Sequence, residues 1–132
     1  MLKRYDLPTC PVGTSLMLMG DRWKIQIIWE LLTGTKRFGE IRKALDISQK
    51  VLTEHLRIME ESGLVHREVF AKVPPHVEYS LTELGKSLRP IFDAMWTWGE
   101  EYQAKMKQLC KGKCHECEHA EGEEYQAKIK QL

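Results

Sequence analysis

The sequence predicts an α+β fold that is mostly α. It is a winged helix-turn-helix with a two-stranded wing and long helices at its N- and C-terminal ends. Three observations predict it. Apolar residues recur with the 3.6-residue helical period in successive stretches between Pro11 and Gly63. The period changes to two between Leu64 and Leu81. From Thr82 the helical period returns and runs to Leu109.

The elements follow in order. Residues 1–9 form an arm with little periodicity. Pro11 suits the first position of a helix, where its missing N–H costs nothing, which makes Cys10 the N-cap. Leu16, Met17 and Met19 give that helix an apolar surface before Gly20. Asp21 caps a second helix over residues 22–33, closed by Gly34. Its stripe of Trp23, Ile27, Ile28, Leu31 and Leu32 is greasy enough for a central core element. A third helix spans residues 38–45, with Phe38, Ile41 and Leu45 on one face. Only Asp46 and Ile47 separate it from Ser48, a good N-cap for the next helix. Two helices joined so tightly are the helix-turn-helix arrangement.

The stretch from Ile47 to Gly63 organises the rest. Leu52, Leu56 and Met59, with Val51 beside them, form its apolar face. Gln49, Lys50, Thr53, Glu54 and Arg57 fall mostly on the other faces. Gly63 stops the helix, because glycine enters the left-handed cap conformation without a Cβ clash. A β-prone run from Leu64 to Phe70 and an alternating run from Val77 to Leu81 then form a hairpin. The loop between them, residues 71–76, contains Lys72, Pro74, Pro75 and His76. A hairpin with a basic tip directly after an exposed polar helix is a wing. Thr82 opens a single long helix with the stripe Leu84, Leu88, Ile91, Phe92, Met95, Trp98, Tyr102, Met106 and Leu109. Pro90 is expected to bend it and Gly99 to weaken it. The stripe exceeds what a small core needs, so partner-helix packing is its natural use.

Composition sets the bounds. The 132 residues fit one modest domain, assigned to residues 1–109, followed by a tail at 110–132. Lys and Arg total 20 against 19 acidic residues, so net charge points to no partner. The uncharged run from Leu7 to Gly20 is broken by prolines and glycine and is too short to cross a bilayer, so no membrane partner is expected. The four cysteines are Cys10, Cys110, Cys114 and Cys117, three of them clustered. That is no secreted disulfide framework, and a cytoplasmic location is expected. There is no Gly-rich phosphate loop, nucleophile elbow or metalloprotease motif, and His55, His66 and His76 are scattered. No enzyme is expected.

This chain resembles the HxlR-type transcriptional regulators, a winged-helix family related to MarR. The resemblance rests on Cys10-Pro11-Val12, Gly20-Asp21-Arg22-Trp23-Lys24, Arg37-Phe38-Gly39-Glu40-Ile41, Ile47-Ser48 with Val51-Leu52-Thr53, Gly63-Leu64-Val65, the run from Pro74 to Gly85, and Trp98-Gly99. It covers roughly residues 10–99. Gly13 and Asp21-Arg22 depart from the usual pattern, away from the presumed reading helix. The resemblance implies a homodimer whose first and last helices form the interface, through Leu16, Met17, Met95, Trp98, Tyr102 and Met106. It also implies a double-stranded DNA operator, with the helix after Ser48 in the major groove and the wing around Lys72 and His76 along the backbone.

The residues agree with that implication. Between Lys36 and Arg57, six cations (Lys36, Arg37, Arg42, Lys43, Lys50, Arg57) face three anions (Glu40, Asp46, Glu54). Such charge supplies phosphate affinity and sets register, while Gln49 and Thr53 suit base edges. Ser48 and Glu54 complete the candidate surface.

Two further features stand apart. At the N-cap position the Cys10 sulfur would lie near the positive end of a helix dipole, which favours a reactive thiolate. Several HxlR-type regulators are thought to sense quinones, aldehydes or oxidants through a cysteine at this motif, so the resemblance suggests an oxidant or other small-molecule effector. The tail offers Cys110, Cys114, His115, Cys117 and His119, a donor set that zinc accepts. No cofactor is required, and zinc there, with a metal-responsive or protein-binding role for the tail, is the alternative. Finally, residues 122–132 (GEEYQAKIKQL) repeat residues 99–109 (GEEYQAKMKQL), differing only at Ile129 for Met106.

Overall fold

The computed structural model describes residues 7–110. They fall into two compact units, one ending at Ser87 and the other beginning at Leu88.

The first unit opens with α1 (Pro11–Met19) and α2 (Arg22–Leu32). The Asp21 carboxylate caps α2 by accepting from the Trp23 N–H at 2.7 Å. This helix ends one residue earlier than expected, because the Thr33 N–H turns back to the Glu30 carbonyl and the Gly34 N–H to the Leu31 carbonyl, both at 3.2 Å. Ile27 and Ile28 are fully buried, as a central helix requires. Next come β1 (Lys36–Arg37) and α3 (Phe38–Leu45). The Glu40 carboxylate accepts the Arg37 N–H at 3.3 Å, which fixes the start of α3. Asp46 ends it in the left-handed region, at φ 51°. Aspartate tolerates that conformation better than most residues, which allows the tight turn into α4.

The α4 helix (Gln49–Glu61) carries the expected caps. Ser48 Oγ accepts the Val51 N–H at 3.3 Å. At the far end the Gly63 N–H meets the Glu60 carbonyl and the Leu64 N–H meets the Met59 carbonyl, both at 3.0 Å. These paired bonds with Gly63 at φ 83° make a Schellman closure, and Met59 and Leu64 are both buried beside it. Leu52, Leu56 and Met59 point into the core.

The hairpin consists of β2 (Val65–Phe70) and β3 (His76–Leu81), antiparallel, from Val65 opposite Leu81 to Phe70 opposite His76. The sheet has three strands rather than the two expected, in the order β1-β3-β2. Lys36 pairs with Tyr79 and Arg37 with Glu78. Two residues are too few to display a period, so β1 leaves no readable pattern. His76, assigned to the loop, is instead the first residue of β3.

The single helix expected from Thr82 is two helices, α5 (Glu83–Lys86) and α6 (Arg89–Cys110). Pro90 is the reason. It has no N–H for the Lys86 carbonyl four residues back, and its ring would press on that carbonyl. The chain therefore leaves the helix after Lys86 and restarts with Pro90 in the first turn of α6, where no N–H is needed. Thr82 Oγ1 caps α5 by accepting the Gly85 N–H at 3.0 Å and donates to the Gly63 carbonyl at 2.6 Å.

The second unit is described through α6, a helix of 22 residues and so about 33 Å long. Ile91, Met95, Trp98, Tyr102, Met106 and Leu109 are all exposed along it. The Trp98 and Tyr102 rings stack at 5.4 Å between centroids and 14° between planes. No helix among the described residues is long and apolar enough to cross a membrane.

Candidate nucleic-acid interface

The face of α4 opposite its core stripe is polar and open. Gln49, Lys50, Thr53 and Glu54 are exposed and line one shallow concavity. The Thr53 hydroxyl donates to the Gln49 carbonyl at 2.7 Å. Its proton is therefore spent inside the helix, and its oxygen and methyl group remain for a ligand. Among the described residues no acidic side chain pairs with Lys50.

Arg57 behaves differently. Its guanidinium binds Glu54 at 2.6 Å and Glu61 at 2.8 Å. The hydrogen bond from Arg57 holds the Glu54 carboxyl below its usual range. Two carboxylates of its own helix thus compensate the Arg57 charge, although the sequence places it with the reading residues. Lys50→Ala is expected to weaken binding to all DNA sequences alike, and Arg57→Ala to weaken it less. Fluorescence anisotropy with two unrelated duplexes checks both, and a larger loss for Arg57→Ala would refute this ranking.

A second depression, about 480 Å³, is lined by Gly39, Arg42, Lys43, Asp46, Ile47 and Ser48. It lies in front of the α4 N-terminus, where backbone N–H groups and the helix dipole favour an anion. Arg42 and Lys43 bring positive charge to the same place. Both belong to the local positive excess between Lys36 and Arg57, but neither is among the contacts expected from sequence. Their signal was present, as two cations in the last turn of α3, immediately before the tight turn.

Lys36 is half-buried in β1 and Arg37 is exposed at the start of α3. At the wing, the His76 ring stacks on Phe70 at 4.7 Å and 19°, and its Nε2 lies 3.3 Å from Glu78 Oε1. His76 is therefore held against the hairpin and is not presented at the tip. Lys72 sits 5.4 Å from the Phe70 ring, over the same aromatic.

His55, on the flank of α4, ties that helix to the N-cap of α2. Its Nδ1 lies 2.8 Å from the Val51 carbonyl and its Nε2 3.2 Å from Asp21 Oδ1. Burial raises the Asp21 carboxyl, but the Trp23 N–H and His55 outweigh it and hold the group below its ordinary value.

Cys10 occupies the N-cap of α1 with an extended backbone and is an exposed free thiol. Its side chain makes no capping hydrogen bond. Of the other selected residues, Leu16 is exposed and Met17 is half-buried on α1. Cys110 closes α6, and Cys114, His115, Cys117 and His119 lie outside the described residues, as does the second copy of the repeat. Among the described residues no three His, Cys, Asp or Glu side chains gather as metal ligands.

Residues 18–107 match the family model described as HxlR-like helix-turn-helix. The chain belongs to this HxlR-like family. It is 46% identical over 105 residues to the uncharacterized HTH-type transcriptional regulator YdeP of Bacillus subtilis (strain 168), covering 79% of this chain and 82% of YdeP. Among solved structures it resembles the redox regulator HypR in its oxidized form, at 47% identity and a TM-score of 0.65, covering 70% of this chain and 96% of that one. It also resembles the reduced form of the transcriptional regulator YodB from B. subtilis, at 38% identity and a TM-score of 0.65, covering 72% and 95%. The chain is thus an HxlR-type transcriptional regulator. Its kinship marks it as a DNA-binding protein rather than an enzyme.

Proposed function

We propose that this HxlR-type regulator acts in the cytoplasm as a homodimer on a roughly two-fold symmetric operator, and that oxidants or electrophiles set its affinity through Cys10. The observation that carries the operator reading is the open polar face of α4 beside the basic depression at its N-terminus. In this arrangement α4 enters the major groove. Gln49 and Thr53 read base edges, Lys50, Arg42 and Lys43 meet phosphates, and Lys72 follows the backbone from the wing. The exposed apolar residues of α1 and α6 supply the dimer interface. Two copies of α4 reach successive major grooves when they stand about 34–36 Å apart.

Footprinting over a salt series tests the operator reading. A symmetric footprint is expected, with affinity falling steeply as salt rises. Lys50→Ala should reduce the log–log salt slope by about 1, while Gln49→Ala or Thr53→Ala should relax preference at one or two base pairs by about 1–3 kcal/mol each. An asymmetric footprint, or affinity indifferent to salt, rejects it.

The Cys10 reading is supported by the exposed thiol at the start of α1 and by similarity to a protein described as a redox regulator. Diamide or a quinone is expected to change the operator affinity of the wild type at least several-fold and to leave Cys10→Ser unchanged. Equal responses from the two proteins would move the sensing elsewhere.

A further inference from the structure

The tail repeats part of the sequence that α6 exposes. Residues 99–109 and 122–132 share ten of eleven side chains in the same order, and the one difference, Met106 against Ile129, keeps an apolar group of similar size. In the first copy Tyr102, Met106 and Leu109 stand exposed along one side of α6, continuous with the stacked Trp98. The matching positions of the second copy are Tyr125, Ile129 and Leu132.

In a two-fold dimer each chain both presents and receives the same patch. Whatever surface receives Tyr102, Met106 and Leu109 of the partner therefore exists on the tail's own chain, which also carries Tyr125, Ile129 and Leu132 at the same sequence spacing. We propose, resting on the α6 seam put forward above, that residues 122–132 dock in cis on that surface and compete with α6 of the partner chain for it.

Geometry and concentration favour the competition. The twelve residues at 110–121 separate the copies. Extended, they reach about 40 Å, more than the length of α6, so the segment can lie along the stripe in either direction. A tethered segment of this kind acts at an effective concentration in the mM range, whereas a second chain must be met at its free concentration. One departure keeps the competition reversible. Where Trp98 precedes the first copy, Glu121 precedes the second, so the tail lacks the largest apolar side chain of the stripe.

The effect on assembly is steep. Both chains of a dimer must be uncovered, so a tail that covers its surface tenfold more often than not raises the apparent dissociation constant about a hundredfold. The test compares the full chain with Tyr125→Glu/Ile129→Glu by sedimentation equilibrium over a dilution series. The tail variant is expected to dimerise at least tenfold more tightly, and a synthetic peptide of residues 122–132 should weaken it again. Equal constants, or a weaker dimer in the tail variant, would overturn the competition. Trp98→Glu in the full chain separates the two layers. If it disrupts the dimer while the tail variant matches wild type, the seam stands and the competition falls. If neither substitution alters the oligomeric state, the α6 seam itself is refuted.

Discussion

Replacing Trp98 and Tyr102 together by Glu is expected to give folded monomers that have lost most of their operator affinity. Trp98 is 67% exposed and Tyr102 49% exposed in the single chain, so neither helps to hold its own unit together. Each aromatic carries about 150–250 Å² of surface, and burial against a partner yields roughly 25 cal/mol per Å². The double substitution removes that gain and adds repulsion. Two carboxylates per chain would be buried in an apolar seam without partners, where an uncompensated charge is costly. The DNA consequence follows from geometry. A monomer reads one half-site and neutralises about half as many phosphates, so the log–log salt slope should fall by about half. Sedimentation velocity, circular dichroism and footprinting together check this result. An unchanged dimer would place the interface elsewhere, and lost helicity would mean that the aromatics support the fold.

Leu52→Ala is expected to destabilise the fold by about 2–5 kcal/mol. Leu52 is fully buried, between the α4 N-cap and Leu56, and its removal leaves a hole that a short helix on a small sheet cannot close. Domains of this size hold about 5–15 kcal/mol in total, so the melting temperature should fall by roughly 10 °C or more. Thr53→Ala, one residue along, faces solvent and should stay within about 0.5 kcal/mol. The pair measures the rotation of α4 about its axis. Thermal denaturation showing Thr53→Ala to be the costlier of the two would mean that α4 turns a different face to the core.

The caps made most of this fold legible. Pro11, Asp21, Ser48, Gly63 and Thr82 mark element ends by chemistry that acts within a few residues, and each stands where that chemistry places it. The α4 helix was legible for the same reason, since its apolar and polar faces follow from one period. What escaped depends on distant partners or on small offsets. The β1 strand exists only because Tyr79 and Glu78 lie opposite Lys36 and Arg37. Pro90 announces the interruption at Ser87 and Leu88, but a proline alone does not tell a bend from a break. His76 looked like a free tip residue because nothing local reveals that Phe70 lies under its ring. The neutralisation of Arg57 was readable, since Glu54 and Glu61 stand three and four residues away on the same helix. The same position on an exposed helix face also suits a phosphate contact, and sequence does not rank the two.

The strand order leaves β2 at the rim of the sheet, bonded on one flank to β3 and, among the described residues, to no strand on the other. Such a rim is a template. Its outward N–H and C=O groups can recruit a strand from another molecule, and a six-residue rim is long enough to start an aggregate. His66, Arg67 and Glu68 stand exposed in its middle. Because neighbouring side chains alternate between faces, Arg67 and Glu68 put a charge on each side of the sheet. An incoming strand would have to desolvate one of them whichever face it packed. Charge on both faces of β2 thus opposes strand addition at this rim, a task separate from the DNA contact proposed for the wing.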